Sequence, residues 1–399
     1  MNLKQTASQT EAKAGHQPFN QISPSKVRGI HADRSLIPKY WTGKSALDPR
    51  TFSIDLRSIS RDLKHEITEG HHASDHVHLN KSHDTYLKLQ NKMQDLFTKY
   101  GLVYLHGNET MQGYDEMAAL VSILFPNSMA YEGGSNYRGR LDKNVYDTGA
   151  PRHANLHYHH EMAYVSESPE YLSFLCLEAP PRPEIGATFV SDNKRATEML
   201  LESSLGQRLK EKGLCYVRKL PDLDFFKDKD PSTVYNYWQT SFQCETPEEA
   251  TEKAKQKGLQ VEWEDSPIFG RYMVTKFYVS AFEYCPYTQK NLLYASVADD
   301  SLWFDSWPGL MSLEQKDRPL QLNFGDDEAL SKADKAKFIE VYDNFGIPIF
   351  WSKGDIAIVC NYRFAHGRPS YTLEKGEKRE LGVILGQTFK RIGPKENSW

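Results

Sequence analysis

Cysteine is scarce. The 399-residue chain has five, Cys176, Cys215, Cys244, Cys285 and Cys360, and no two form a Cys-x-x-Cys pair. That excludes a zinc knot and a disulfide framework, and leaves buried free thiols as the expectation. Long apolar runs are missing as well. Nothing approaches the roughly 18 to 20 residues that a bilayer span requires, and the opening stretch MNLKQTASQTEAKAGHQPF has no apolar signal core. The expectation is a cytoplasmic protein with no membrane partner. A charge of one sign is also absent: 49 basic against 53 acidic residues give a formal net charge of −4. This argues against a nucleic-acid or anionic-membrane surface. Histidine almost disappears from the second half, where His366 is the only one after His160.

Hydrophobic residues make up 39% of the chain and aromatics 12%, enough at this length for one large core or two ordinary ones. Residues 1 to about 45 are polar without periodicity and read as a flexible or surface-draped arm. The expected organisation is an N-terminal arm and extension over 1–90, with no assigned role, and one domain over 91–399. Helical spacing predicts a helix from Tyr86 to the stop at Gly101, then a strand over LVYLHG and a second helix over YDEMAALVSILFP. Strands are expected on both sides of the proline-rich turn in YLSFLCLEAPPRPEIGATFVSD, in RYMVTKFYVSAFEY, after the Lys353-Gly354-Asp355 turn, and in ELGVILGQTFK. NKRATEMLLESSLGQRLKEKG reads as one surface helix and TPEEATEKAKQKG as another. With helices clustered at the front and strands dominating afterwards, the fold class is mainly β with flanking helices (α+β), a sandwich or jelly roll.

HYHHEMAY, residues 157 to 164, holds three histidines and a glutamate in five positions. Side chains two apart share a face only on extended chain, so His159 and Glu161 can grip one ion if this stretch is a strand. His157 then lies one step back on that face and His160 points the other way. Two imidazoles and one carboxylate are the set that leaves positions open on iron. About two His-x-Asp/Glu pairs are expected by chance, and the second is His31 with Asp33, so spacing alone does not make a site. The His-rich stretch EGHHASDHVHLNKSH at 69–83 lacks alternation and reads as a solvated loop. A third ligand would have to be His366, at the end of an apolar strand, where an ordinary half-buried histidine reads equally well. Arg379, thirteen residues on, suits bidentate pairing with a buried carboxylate or a surface pair with Glu377 or Glu380. Thr188 could complete that pocket with its hydroxyl, or be a β-former in a strand.

Taken in order, YEGGSNYRGRLDKNVYDT, HHEMAYVSESPEYLSFLCLEAPP, GATFVSD, WQTSFQCETPEEA, FWSKGDIAIVCNYRFAHGRPSY and EKRELGV carry a family likeness. They resemble the TauD/TfdA-like branch of Fe(II)/2-oxoglutarate-dependent dioxygenases, which is similar to clavaminate synthase and γ-butyrobetaine hydroxylase, over about residues 95 to 390. The resemblance implies a double-stranded β-helix (jelly roll, cupin-like). It implies iron held by His159, Glu161 and His366, with Arg379 and Thr188 on the distal carboxylate of 2-oxoglutarate. Dioxygen and a small-molecule substrate would meet there, and a hydrogen would leave a C–H bond with succinate and CO2 as co-products. Hydroxylation, desaturation or oxidative ring closure would follow; the cofactor supplies that chemistry and the protein supplies position. Halogenation is disfavoured, because halogenating relatives lack the carboxylate ligand and Glu161 is present.

In relatives the loop corresponding to AYEGGSNYRGR borders the substrate. Arg138, ahead of Arg140, with Tyr131 beside it, would then recognise a carboxylated, amino-acid-like molecule, where two solvated arginines in a surface turn read equally well; Tyr137 and Tyr164 read as pocket walls or, more often for aromatics beside a strand, as core packing. Algal kainoid synthases, which close a ring on a prenylated glutamate, are similar in general character. One alternative is a γ-butyrobetaine-type hydroxylase, which would need an aromatic cage for a quaternary ammonium. Its relatives carry a cysteine-rich zinc module that has no counterpart before Cys176. The other is a non-catalytic β-helix protein that binds metal or a small acid, against which an intact ligand set argues. Two departures stand out: EIGAT replaces the usual Gly-Gly ahead of the threonine, and the first 90 residues match nothing in the family.

Overall fold

Tyr86, Leu89, Met93 and Phe97 form the buried stripe of a helix that runs from Asp84 to Tyr100. His83 caps its start by accepting from the Thr85 amide, and Gly101, at φ 75°, ends it in the left-handed conformation that glycine adopts without penalty. The computed structural model describes residues 52–59, 68–69, 78–108, 113–131, 138–142, 144–182, 184–297, 308–394 and 396. The His31–Asp33 pair, Tyr137 and most of the 69–83 stretch lie outside them. The division expected at residue 90 falls inside the Asp84–Tyr100 helix, and Ser53–Asp55 pairs in parallel with Leu102–His106 at the edge of the main sheet.

Strands dominate, and the site lies between two sheets. One has seven strands in the order Ser53–Asp55, Leu102–His106, Ile356–Cys360, Glu167–Glu178, Glu380–Lys390, Val145–Asp147 and Arg140–Asp142. The other has four: Gly346–Ile349, Thr188–Asp192, Phe364–Arg368 and Leu156–His159. Phe174 of the first sheet meets the His366 ring of the second at 5.4 Å and Trp351 at 6.2 Å, so the sheets face each other across apolar and aromatic side chains. Helices Asn193–Leu201 and Lys332–Asp343 pack against each other and against the Thr188–Asp192 strand. A separate antiparallel sheet is built from Gln260–Ser266, Gly270–Val279, Leu214–Pro221 and Leu320–Phe324.

Two expectations need correction. The surface helix read over residues 193–213 is two helices, Asn193–Leu201 and Ser204–Lys212. Ser203 breaks the run by capping the second helix through the Gly206 amide, and a side chain at Gly206 would meet the Leu200 carbonyl oxygen at 2.2 Å. Helices are also not confined to the front of the chain. Lys332–Asp343 starts on a capping box of Ser331 and Asp334, but its buried face mixes Asp334, Lys335 and Asp343 with Phe338, Ile339, Val341 and Tyr342, so charge interrupts the apolar stripe by which helices are read. No helix among the described residues is long and apolar enough to cross a membrane.

Beneath the site, Arg391 donates to Glu283 and to the carbonyls of Ala163, Ser280 and Tyr294, with its side chain wholly buried and Glu283 4% exposed. Removing one partner leaves a buried charge uncompensated. Arg391→Met should therefore cost about 3 to 5 kcal/mol in denaturant unfolding, and the double variant Arg391→Met/Glu283→Leu should recover part of that loss. An unchanged midpoint in the single variant would contradict this assignment.

Candidate metal centre

His159 and His366 are cross-strand partners on neighbouring antiparallel strands, so the ladder itself sets their rings side by side, centroids 4.0 Å apart. Glu161 stands just past the end of the His159 strand. One of its carboxylate oxygens lies 3.6 Å from His366 Nε2, and the donor atoms of all three residues fall within 4.8 Å of one another. Among the described residues no other group of histidine, cysteine or carboxylate side chains closes in this way. All three are buried.

The strand expected to carry both His159 and Glu161 ends at His159, and Glu161 opens the turn that follows, so only the first of the pair is presented by extended chain. His159 Nδ1 sits 2.9 Å from the His157 carbonyl, which can only accept, so Nδ1 carries the proton and Nε2 keeps its lone pair for a ligand bond. Burial, followed by the neighbouring His366, pushes His159 down to about 3, leaving it neutral at ordinary pH. His160 turns to the opposite side, where Nδ1 meets the Ala295 backbone at 3.1 Å and the ring stacks on Tyr294. Two nitrogens and one carboxylate oxygen, all buried, make a donor set that fits iron and leaves positions open.

Burial alone would raise the Glu161 carboxyl. Arg138, His366 and His159 outweigh it and hold the group well below the usual carboxylate range. Arg138 reaches both carboxylate oxygens at 2.9 Å through one terminal nitrogen, and its guanidinium lies 4.5 Å over the Tyr131 ring. Its Nε is buried with no hydrogen-bond partner among the described residues. Arg140 is exposed, donates to the Asp142 carbonyl, and does not line the cavity.

One cavity joins the three donors to Arg138, Thr188, Arg368 and Arg379. Thr188 Oγ1 accepts from the Trp351 indole at 3.0 Å, which leaves the hydroxyl proton to donate. Arg379 donates from Nε to the Gly186 carbonyl at 2.9 Å, and its terminal nitrogens meet no acceptor among the described residues. The alternative surface partner Glu377 instead pairs with Arg182 at 3.2 Å.

Sequence reasoning missed three residues here. Asn361, fully buried, accepts from the Glu161 amide at 2.9 Å and donates to the Glu161 carbonyl at 3.1 Å, gripping the main chain of that residue from both sides. Trp351 orients Thr188. Arg368 ties the 150–152 segment to the His366 strand through backbone carbonyls, including Pro151 at 2.8 Å. Burial and the nearby Arg379 lower it to about 10, so it stays charged, and this end of the cavity carries two cations. A polar residue at the turn of an apolar hairpin was the available signal for Asn361; nothing local marked the other two.

Comparison with known proteins finds several to which the chain is similar. A clavaminate synthase-like protein of Arabidopsis thaliana is 25% identical over 259 residues, which is 64% of this chain and 73% of that relative. A taurine dioxygenase structure from Burkholderia xenovorans is 13% identical with a TM-score of 0.42, covering 78% of this chain and 84% of its own. The PvcB protein from Pseudomonas aeruginosa is 12% identical with a TM-score of 0.39, covering 77% and 82%. The family assignment rests on the sequence profile, whose dioxygenases use iron(II) and 2-oxoglutarate, the two cofactors that the buried His-Glu-His set and the cationic cavity suit. That profile, described as the taurine catabolism dioxygenase TauD, TfdA family, matches residues 63–385, so residues 63–90, expected to lie outside any match, fall within it, and the chain belongs to this family.

Proposed function

We propose that the chain binds iron(II) through His159, Glu161 and His366 and 2-oxoglutarate through Arg379 and Thr188, and that it oxidises a C–H bond of a small carboxylated, amino-acid-like molecule. The convergence of the three donors within 4.8 Å carries this reading. Iron held by these three side chains would supply, with 2-oxoglutarate and dioxygen, the oxidising power for hydrogen-atom removal. The protein's own part is placement. The His157 carbonyl fixes the His159 tautomer, Asn361 fixes the Glu161 main chain, and Phe174 closes an apolar wall beside His366. Arg379 offers two terminal nitrogens to the distal carboxylate, and Thr188 offers its hydroxyl proton.

The same reading takes the facing sheets as the halves of a double-stranded β-helix. Successive strands support it by alternating between sheets: Leu156–His159, then Glu167–Glu178, then Thr188–Asp192, and later Gly346–Ile349, Ile356–Cys360, Phe364–Arg368 and Glu380–Lys390. Substrate class follows from charge. Arg138 keeps a buried, unused Nε donor on the cavity, which suits a substrate carboxylate and disfavours a quaternary ammonium.

Three outcomes test the reading. His159→Ala and Glu161→Ala should lose bound iron after reconstitution and desalting, whereas His160→Ala should retain it; the reverse pattern would overturn the ligand assignment. Arg379→Ala should weaken 2-oxoglutarate binding by about 10- to 100-fold with iron content unchanged, since a buried charge-assisted pair is worth about 1.5 to 3 kcal/mol. An unaltered affinity would remove Arg379 from the pocket. Arg138→Gln keeps a donor for Glu161 but loses the charge, so it should raise KM for carboxylated substrates while substrate-free 2-oxoglutarate decarboxylation persists. Equal KM values in mutant and parent would sink the substrate assignment.

A further inference from the structure

Gly186 and Tyr371 hold Arg379 from two sides, and neither touches the three donors. The Gly186 carbonyl accepts from Arg379 Nε at 2.9 Å, and Gly186 has φ 62°, in the left-handed region that favours glycine. A Cβ built on Gly186 would fall 2.6 Å from Arg379 Nε and 2.7 Å from Cδ. The absence of a side chain is therefore what lets the arginine lie across this backbone. On the other flank the Arg379 guanidinium carbon lies 5.2 Å from the Tyr371 ring centroid, and that of Arg368 lies 4.9 Å from the same ring. Tyr371 is in turn tied down by its amide, which donates to the Arg152 carbonyl at 2.9 Å. With Nε committed to Gly186 and the face resting on Tyr371, the guanidinium has one orientation, and only its terminal nitrogens remain for a ligand.

We propose that Gly186 and Tyr371 are positioning residues that aim Arg379 and so set the preference for a 2-oxo acid with a distal carboxylate. The proposal rests on the reading that Arg379 binds 2-oxoglutarate. It also gives the EIGAT turn a physical role: its single glycine supplies both the acceptor and the space that the arginine needs. Arg368 adds field rather than contact, because its terminal nitrogens already donate to carbonyls of residues 150–152 and 369.

The test compares 2-oxoglutarate with 2-oxopentanoate, which carries a methyl group in place of the distal carboxylate. Each is titrated by calorimetry into nickel-loaded, full-length protein, with metal content measured in parallel. The parent should bind 2-oxoglutarate at least about tenfold more tightly than 2-oxopentanoate. Gly186→Ala should erode that preference by about tenfold, with 2-oxopentanoate affinity held within about twofold and metal content unchanged. Tyr371→Leu should act in the same direction and Tyr371→Phe, which keeps the ring, should match the parent; this pair carries the test if Gly186→Ala does not fold. Equal losses for both acids would assign these residues a purely structural role and overturn the proposal, as would an unchanged preference in Gly186→Ala or Tyr371→Leu. A parent with no preference would overturn the Arg379 reading and this inference together, and is told apart by its appearing before any substitution.

Discussion

Glu161 keeps a charged carboxylate with only 2% of its surface exposed, between two sheets whose facing side chains are largely apolar and aromatic. An isolated charge in such a place is too costly to persist, so the group needs partners on every side. Arg138 takes both oxygens, His366 approaches one of them, and His159 sits across the ladder. The dependence is mutual, because the Arg138 side chain is only 9% exposed and its one ion-pair partner among the described residues is this carboxylate. A bound metal would share the carboxylate with Arg138. That explains how a cation from a preceding loop and a histidine some 200 positions later come to meet at one residue.

The turn at Asn361–Arg363 converts this local demand into a global one. Asn361 grips the Glu161 backbone, while Arg363 donates to the Thr98 and Lys99 carbonyls and so caps the helix that ends at Gly101. Between them Tyr362 stacks on Phe389 of the last strand, with centroids 4.3 Å apart. Three residues thus fasten Glu161, the Asp84–Tyr100 helix and the Glu380–Lys390 strand to the hairpin that carries His366. Helix-end carbonyls would otherwise lack partners, and the turn satisfies them with charge. The position of His366 relative to Glu161 is set by this fastening as much as by the ladder.

How much of this was legible depends on the range of each interaction. Period-two spacing named His159 and Glu161 and set His160 apart from them, but the strand ends at His159, and the turn that holds the Glu161 carboxylate was not legible. His366 stood out because histidine is otherwise missing from the second half. Arg379 and Thr188 came from the family likeness, since nothing local distinguishes a pocket arginine from one in a surface ion pair. The contacts of Asn361 with Glu161, Trp351 with Thr188 and Tyr371 with Arg152 join residues far apart in sequence, which no local pattern encodes. The break at Ser203 escaped because helical spacing continues through it, and the 332–343 helix because charged residues, Asp334, Lys335 and Asp343, share its buried face.

The central claim is that three side chains form one metal centre between the sheets. Anomalous scattering at the iron edge, from crystals of the full chain grown anaerobically with iron(II), tests it most directly. The account predicts a single strong peak bounded by His159 Nε2, a Glu161 carboxylate oxygen and His366 Nε2. A peak on the His-rich 69–83 segment or on His160, with none between the sheets, would contradict it.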